Sequence, residues 1–152
     1  MEELGAAANS TRVIQLATTV ASLCLEYSSA VKNAKLEIES LQRHTESLKT
    51  ILEGVQQLLK GTNGAGLENS KVLRDALDDT HWQLARVVTK LENKPKTGRW
   101  AEVTGPLGLQ ALKWPLERKD VDEIIANLQR YQDTFSAALN IEQAYVTVIT
   151  WA

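Results

Sequence analysis

The stretch VIQLATTVASLCLEYSSAV, residues 13–31, carries one charge, Glu26, in 19 positions, and the architecture turns on what shelters it. Val13, Ala17, Val20, Cys24, Tyr27 and Val31 recur at spacings of four and three, the rhythm of a packed helix. Leu16, Leu23 and Ala30 form a second seam. At about 100° per residue, apolar side chains cover roughly two thirds of the circumference, more than the stripe an ordinary surface helix buries. Such a helix needs neighbours on several sides, and its low charge predicts a central position. Gln15, Thr18, Thr19, Ser22, Glu26, Ser28 and Ser29 make it a poor constitutive membrane span. Its length at about 1.5 Å per residue is nevertheless roughly 28 Å, close to the hydrocarbon thickness of a bilayer. Glu26 at mid-depth would oppose insertion by about 2.5–3.5 kcal/mol. Two readings stay open: a core helix that never leaves, or a helix that a bundle hides and releases in an oligomer. In the second, Val13, Leu16, Val20, Leu23 and Tyr27 are the candidate membrane-inserting residues.

Outward from this segment the chain continues as helices. Asn33 is a candidate N-cap for a second helix over 34–60. Leu41, Leu48, Leu52, Val55 and Leu59 form its seam, backed by Ile38, Ile51 and Leu58. Lys35, Glu37, Glu39, Glu46, Lys49 and Glu53 make its charged face. The Gly- and Asn-rich run 61–66 stops it, because those residues tolerate the left-handed turn a helix end requires. That run lacks the Gly-Lys-Ser/Thr ending of a phosphate loop. A third helix is expected over 69–92, with Leu73, Leu77, Leu84, Val88 and Leu91 inward and His81 and Trp82 midway. A long loop, 93–105, leads to Pro106, which suits the first turn of a short helix with Leu107, Leu109 and Leu112 on its apolar side. Pro115 takes Trp114 out of helical geometry. Asp120 and Glu123 have the spacing of a capping box for a last helix. That helix turns Val121, Ile125, Leu128, Phe135 and Leu139 inward, beside Ile124, Tyr131 and Ala138. The expected fold is all-α: a four-helix bundle over residues 1–140, with an additional short helix before the last long one. Residues 141–152 are a helix extension or a linker to a following module.

Composition narrows the function classes. The 152 residues suffice for one core; 17 Lys and Arg against 19 Asp and Glu leave a net −2, which excludes a uniformly basic coat for nucleic acid. The acidic start, Glu2-Glu3, is unlike a secretory signal. One cysteine, Cys24, excludes an internal disulfide and a Cys-cluster zinc site, and its apolar seam predicts an inert buried thiol in a reduced compartment. His44 and His81 lie on different helices, without the spacing of a metal-binding pair, and read as ordinary surface or half-buried histidines. There is no Gly-x-Ser-x-Gly elbow. No metal, cofactor, small-molecule substrate or enzymatic activity is expected.

Charge is unevenly spread. Lys90, Lys94, Lys96, Arg99, Lys113, Arg118 and Lys119 outweigh Glu92, Glu102 and Glu117, so residues 90–119 carry +4 and the remainder −6. Trp100 and Trp114 lie inside this basic segment. Cations interleaved with indoles suit docking on anionic lipid, with Lys94, Lys96, Arg99, Trp100, Lys113 and Trp114 as candidate headgroup contacts. The competing reading is a solvated loop whose tryptophans cap one end of the bundle. A nucleic-acid partner is not expected, because no recognition helix accompanies the patch.

Gly5-Ala6-Ala7-Ala8 followed by Val13-Ile14-Gln15-Leu16-Ala17 resembles the start of the HeLo-like N-terminal domain of fungal STAND (NOD-like receptor) proteins. The helix from Ala34 through Leu41, Leu48 and Leu52 fits the same family, as does Leu112-Lys113-Trp114-Pro115-Leu116 with Val121-Asp122-Glu123-Ile124-Ile125 after it. Asn9-Ser10-Thr11-Arg12 departs from it, placing polarity and a cation where the family has small apolar residues. The resemblance covers most of residues 1–140. It implies a helical bundle related to HeLo and to necroptotic four-helix executioner domains. It also implies regulated oligomerisation and membrane disruption through the N-terminal helix, in fungal innate immunity, heterokaryon incompatibility and programmed cell death. A cytoplasmic protein that moves to the plasma membrane and to anionic lipid on activation follows. The alternative is a non-lytic interaction and oligomerisation module of a signalling receptor.

Overall fold

The computed structural model describes residues 5–31, 34–60, 70–92 and 114–151, with side chains as far as Asn140, Ala30 excepted. Among the described residues there are four helices and no strand: α1 (Ala6–Ala30), α2 (Lys35–Lys60), α3 (Lys71–Glu92) and α4 (Arg118–Trp151). The short helix expected from Pro106, the N-cap Asn33 and the turn at 61–66 lie outside the described residues.

Side-chain bridges fix how the helices run. Asn9 meets Asp78, and Tyr27 meets Leu91, so α1 and α3 are parallel. Gln56 donates to Thr11 while Glu46 lies near Cys24, so α1 and α2 are antiparallel. His44 faces Gln129, and Gly54 faces Leu139, so α2 and α4 are parallel. Gln83 pairs with Asn127, and Lys90 shares a groove with Asp120, so α3 and α4 are antiparallel. The pairings run α1–α2, α2–α4, α4–α3 and α3–α1, closing a ring. The connection from α2 to α3 therefore joins diagonal corners, which is what creates two parallel neighbours in a chain whose successive helices alternate in direction.

The seams read from the sequence line this ring. Val13, Ala17, Val20, Cys24 and Tyr27 of α1 are buried. So are Ile38, Leu41, Leu48, Leu52, Val55 and Leu59 of α2, and Val121, Leu128 and Phe135 of α4. Several details depart from expectation. Instead of sitting centrally, α1 occupies one corner: its seam faces α2 and α3, whereas Leu25 is 55% exposed. In α3 Val87 is buried and Val88 only packs on the rim, a shift of one position within the same face. Leu116, Thr45 and Thr80 also join the interior. The two threonine hydroxyls donate to Leu41 O and Ala76 O one turn back, which removes the cost of burying them.

Helix starts follow local hydrogen bonding. Ser70 Oγ accepts from the amide of Leu73 at 3.2 Å and caps α3. Ala34, in the left-handed region at φ 67°, precedes α2 and accepts its first helical bond from Ile38. The capping box expected at Asp120 is not formed. Glu117 O already accepts from Val121, so Asp120 stands in the first turn of α4, favourable there for its negative charge. The α4 backbone stays helical to Trp151.

One contact closes the end of the bundle opposite the α1 N-terminus. Tyr27 Oη donates to Leu91 O at 2.7 Å, satisfying a carbonyl in the last turn of α3 that has no intrahelical donor. Trp114 packs edge-on against the same ring, with centroids 5.1 Å apart and planes at 83°. Tyr27→Phe keeps the ring and removes only the hydroxyl, leaving a buried acceptor without its donor. The expected loss is about 1–3 kcal/mol of unfolding free energy, read as a lower urea midpoint at unchanged slope.

Candidate functional site

The candidate inserting residues are committed to the core. Val13, Val20, Leu23 and Tyr27 are buried and Leu16 is half-buried against the same cluster. At about 1.5–3 kcal/mol per large side chain, the four buried ones contribute on the order of 6–12 kcal/mol, comparable to the net stability of a whole domain. Withdrawing α1 into water is thus equivalent to unfolding the protein. No described helix is long and apolar enough to cross a membrane.

The candidate headgroup residues divide differently. Lys94, Lys96, Arg99, Trp100 and Lys113 lie outside the described residues. Trp114 is half-buried on the end of the core beside Tyr27, and its indole Nε1 is buried without a hydrogen-bond partner among the described residues.

A polar site that the sequence did not suggest lies between the N-terminal halves of α1 and α3. Asn9 and Ser10 are buried there, Asn9 at 8% exposure and Ser10 at 0%. Asn9 Nδ2 donates to Asp78 Oδ1 at 2.9 Å. Ser10 Oγ and Thr11 Oγ1 both donate to Ala7 O. Thr11 also accepts from Gln56 Nε2, which ties in α2. Arg12 Nη2 stands 3.1 Å from His81 Nε2. A guanidinium has only donors, so this ring nitrogen accepts and the imidazole is neutral with its proton on Nδ1. The tetrapeptide 9–12, which reads as a departure from an apolar helix, therefore pins α1 to α3 and α2. Periodicity misses this because it classes Asn9 and Ser10 as solvent-facing and carries no information on the matching Asp78 and His81. Those two stand three residues apart on α3, as Asn9 and Arg12 do on α1.

His44 is structural. Its Nδ1 donates to Ser40 O at 2.8 Å, its Nε2 accepts from Gln129, and its own carbonyl accepts from Gln132, so it joins α2 to α4. No group of three or more His, Cys, Asp or Glu capable of holding a metal occurs among the described residues. Burial, helped by the negative charge of Glu46, pushes the Cys24 thiol up to about 12. With this architecture in view, no family model, curated protein or solved structure matches the chain.

Two outcomes follow from these environments. Cys24 should be inert to a disulfide reagent in the folded protein at about pH 8 and react with one equivalent once denaturant unfolds it; prompt native labelling would mean that α1 opens readily. Withdrawal from water, with Arg12 adding and Asp78 opposing, lowers the His81 pKa below its ordinary 6.5. The unfolded chain then takes up the proton first, so this contribution is complete above the unfolded value and is lost as pH falls through the lower folded one. His81→Gln retains an acceptor for Arg12 but cannot titrate. Between about pH 7 and pH 5 its melting temperature should fall less than that of the parent.

Proposed function

We propose that this chain is an effector domain of a signalling protein, of the HeLo-like kind its sequence resembles, acting by self-association at anionic membranes with α1 as the working element. The observation that supports this reading is the outward side of α1. No charged residue occurs between Arg12 and Glu26, and Gln15, Thr18, Ser22 and Leu25 are exposed there. By contrast α2 exposes Glu39, Glu46 and Glu53, and α3 exposes Asp75, Asp79 and Arg86. The hydroxyls of α1 are spent on its own backbone: Thr18 on Ile14 O at 2.9 Å, Thr19 on Gln15 O at 3.0 Å and Ser29 on Leu25 O at 3.1 Å. A hydroxyl bonded within its own helix loses no partner when that helix moves from water to a packed or lipid surrounding. In this reading the basic residues 90–119 meet headgroups, a short helix from Pro106 belongs to the same domain, and the protein is cytoplasmic until activated. Cell death is the output.

A second reading, a non-lytic oligomerisation module, is favoured by the burial of Val13, Val20, Leu23 and Tyr27, because docking through the outer side of α1 leaves the core intact. Dye-loaded vesicles separate the two. The effector reading expects leakage from vesicles containing phosphatidylserine and not from neutral ones. Ser22→Glu, an exposed change that spares the core, should reduce leakage about tenfold or more by placing a charge on the inserting helix. Self-association without leakage in any lipid mixture establishes the module instead.

A further inference from the structure

The polar site between α1 and α3 opens into a cleft of about 270 Å³ at the end of the bundle where both helices begin. Parallel helices point the positive ends of their dipoles the same way, and neither α1 nor α3 has an acidic residue in its first turn. Arg12 and Arg74 line the cleft and add two cations. The one lining carboxylate, Asp78, accepts from the Asn9 amide. Arg12 rests on a neutral ring nitrogen of His81, a single-point acceptor, although a guanidinium fork is built for two anionic oxygens. Trp82, 70% exposed, forms an outer wall with a flat apolar face. The volume lies just below the range of drug-sized pockets, about 300–1,000 Å³, which limits an occupant to a single small group.

We propose that this cleft binds a phosphate group, its oxygens held by Arg12 and Arg74 and the body that carries it resting on Trp82. A phosphate oxygen is a stronger acceptor for Arg12 than a neutral imidazole, because both partners are then charged. Since the two arginines come from different helices, an occupant joins α1 to α3 and stabilises the docked state by mass action. Phosphate therefore acts as a brake on any release of α1. The binding step itself requires no membrane activity, so it stands whether or not the effector reading does. Free phosphate esters and lipid headgroups share this chemistry.

The test titrates the full chain with inorganic phosphate and with O-phosphoserine, following tryptophan fluorescence and melting temperature. A saturable change at about millimolar concentration is expected, together with a rise in melting temperature, and the fluorescence change should vanish in Trp82→Phe. Arg12→Gln and Arg74→Gln should each weaken binding about tenfold, whereas Arg86→Gln, in the groove between α3 and α4, should not. Circular dichroism establishes that each variant is folded; Arg12→Gln retains a donor for His81. Vesicles containing phosphatidic acid distinguish the source. Competition by inorganic phosphate identifies a lipid headgroup, and soluble binding without vesicle competition identifies a free ester. Absence of a saturable response in the parent, or folded Arg12→Gln and Arg74→Gln variants that bind as the parent does, overturns the proposal.

Discussion

A helix with almost no charge must be wrapped by protein or leave water, and burial of α1 is the constraint on which the other helices depend. The ring meets it on two sides: α2 packs antiparallel against one flank of the α1 seam and α3 packs parallel against the other. The two ends of that seam are secured by different chemistry. At one, Asn9, Thr11 and Arg12 reach side chains of α3 and α2. At the other, the Tyr27 hydroxyl supplies the donor that the last turn of α3 lacks, and Trp114 covers the ring. Between them the contact is apolar, so position along the helix is set by the polar ends and affinity by the middle. α4 then closes the ring through His44 and Gln83, making both of its contacts with helices other than α1.

This arrangement puts the two faces of α1 in tension. Its inner face carries a burial energy comparable to the stability of the fold, which opposes any excursion. Its outer face carries no charge between Arg12 and Glu26, and most of its hydroxyls are satisfied by the helix itself, which lowers the cost of moving it elsewhere. A surface helix with no role beyond solubility has no need of the second property, since charged residues are cheaper to solvate and are common on the outer faces of α2, α3 and α4. Any partner that engages α1, whether another protein or a lipid surface, must either accept the outer face as it stands or compensate for the loss of the inner one.

Helix identity and facing were legible in the sequence because apolar spacing reports directly which side of a helix avoids water. Hence Leu41, Leu48, Leu52 and Val55 in α2, and Leu128 and Phe135 in α4, are where their periodicity puts them. Partner choice was not legible: periodicity says that a face is buried but not against what, so the corner position of α1 and its parallel alignment with α3 had no signature. Buried polar residues were missed for a related reason. Asn9, Ser10, Thr45 and Thr80 look solvent-facing until a carbonyl one turn back, or Asp78 across the interface, is known to satisfy them. The start of α4 was misplaced because Asp120 and Glu123 have capping spacing, yet Glu117 already supplies the first helical acceptor. The α1–α3 cleft was invisible for the same reason as the pairing, since its residues belong to segments far apart in the chain.

The diagonal step from α2 to α3 also governs the order in which the molecule can be assembled. A chain leaving the ribosome completes α1 and α2 first, and these can fold back as an antiparallel hairpin at once. One flank of the α1 seam then stays uncovered until α3 has emerged, because the carbonyl that receives the Tyr27 proton belongs to Leu91, 64 residues downstream. Throughout that interval of translation the nascent hairpin displays an uncharged, oily strip to its surroundings. During synthesis this protein is obliged to pass through a form that a chaperone, or a second nascent copy, is equipped to grasp.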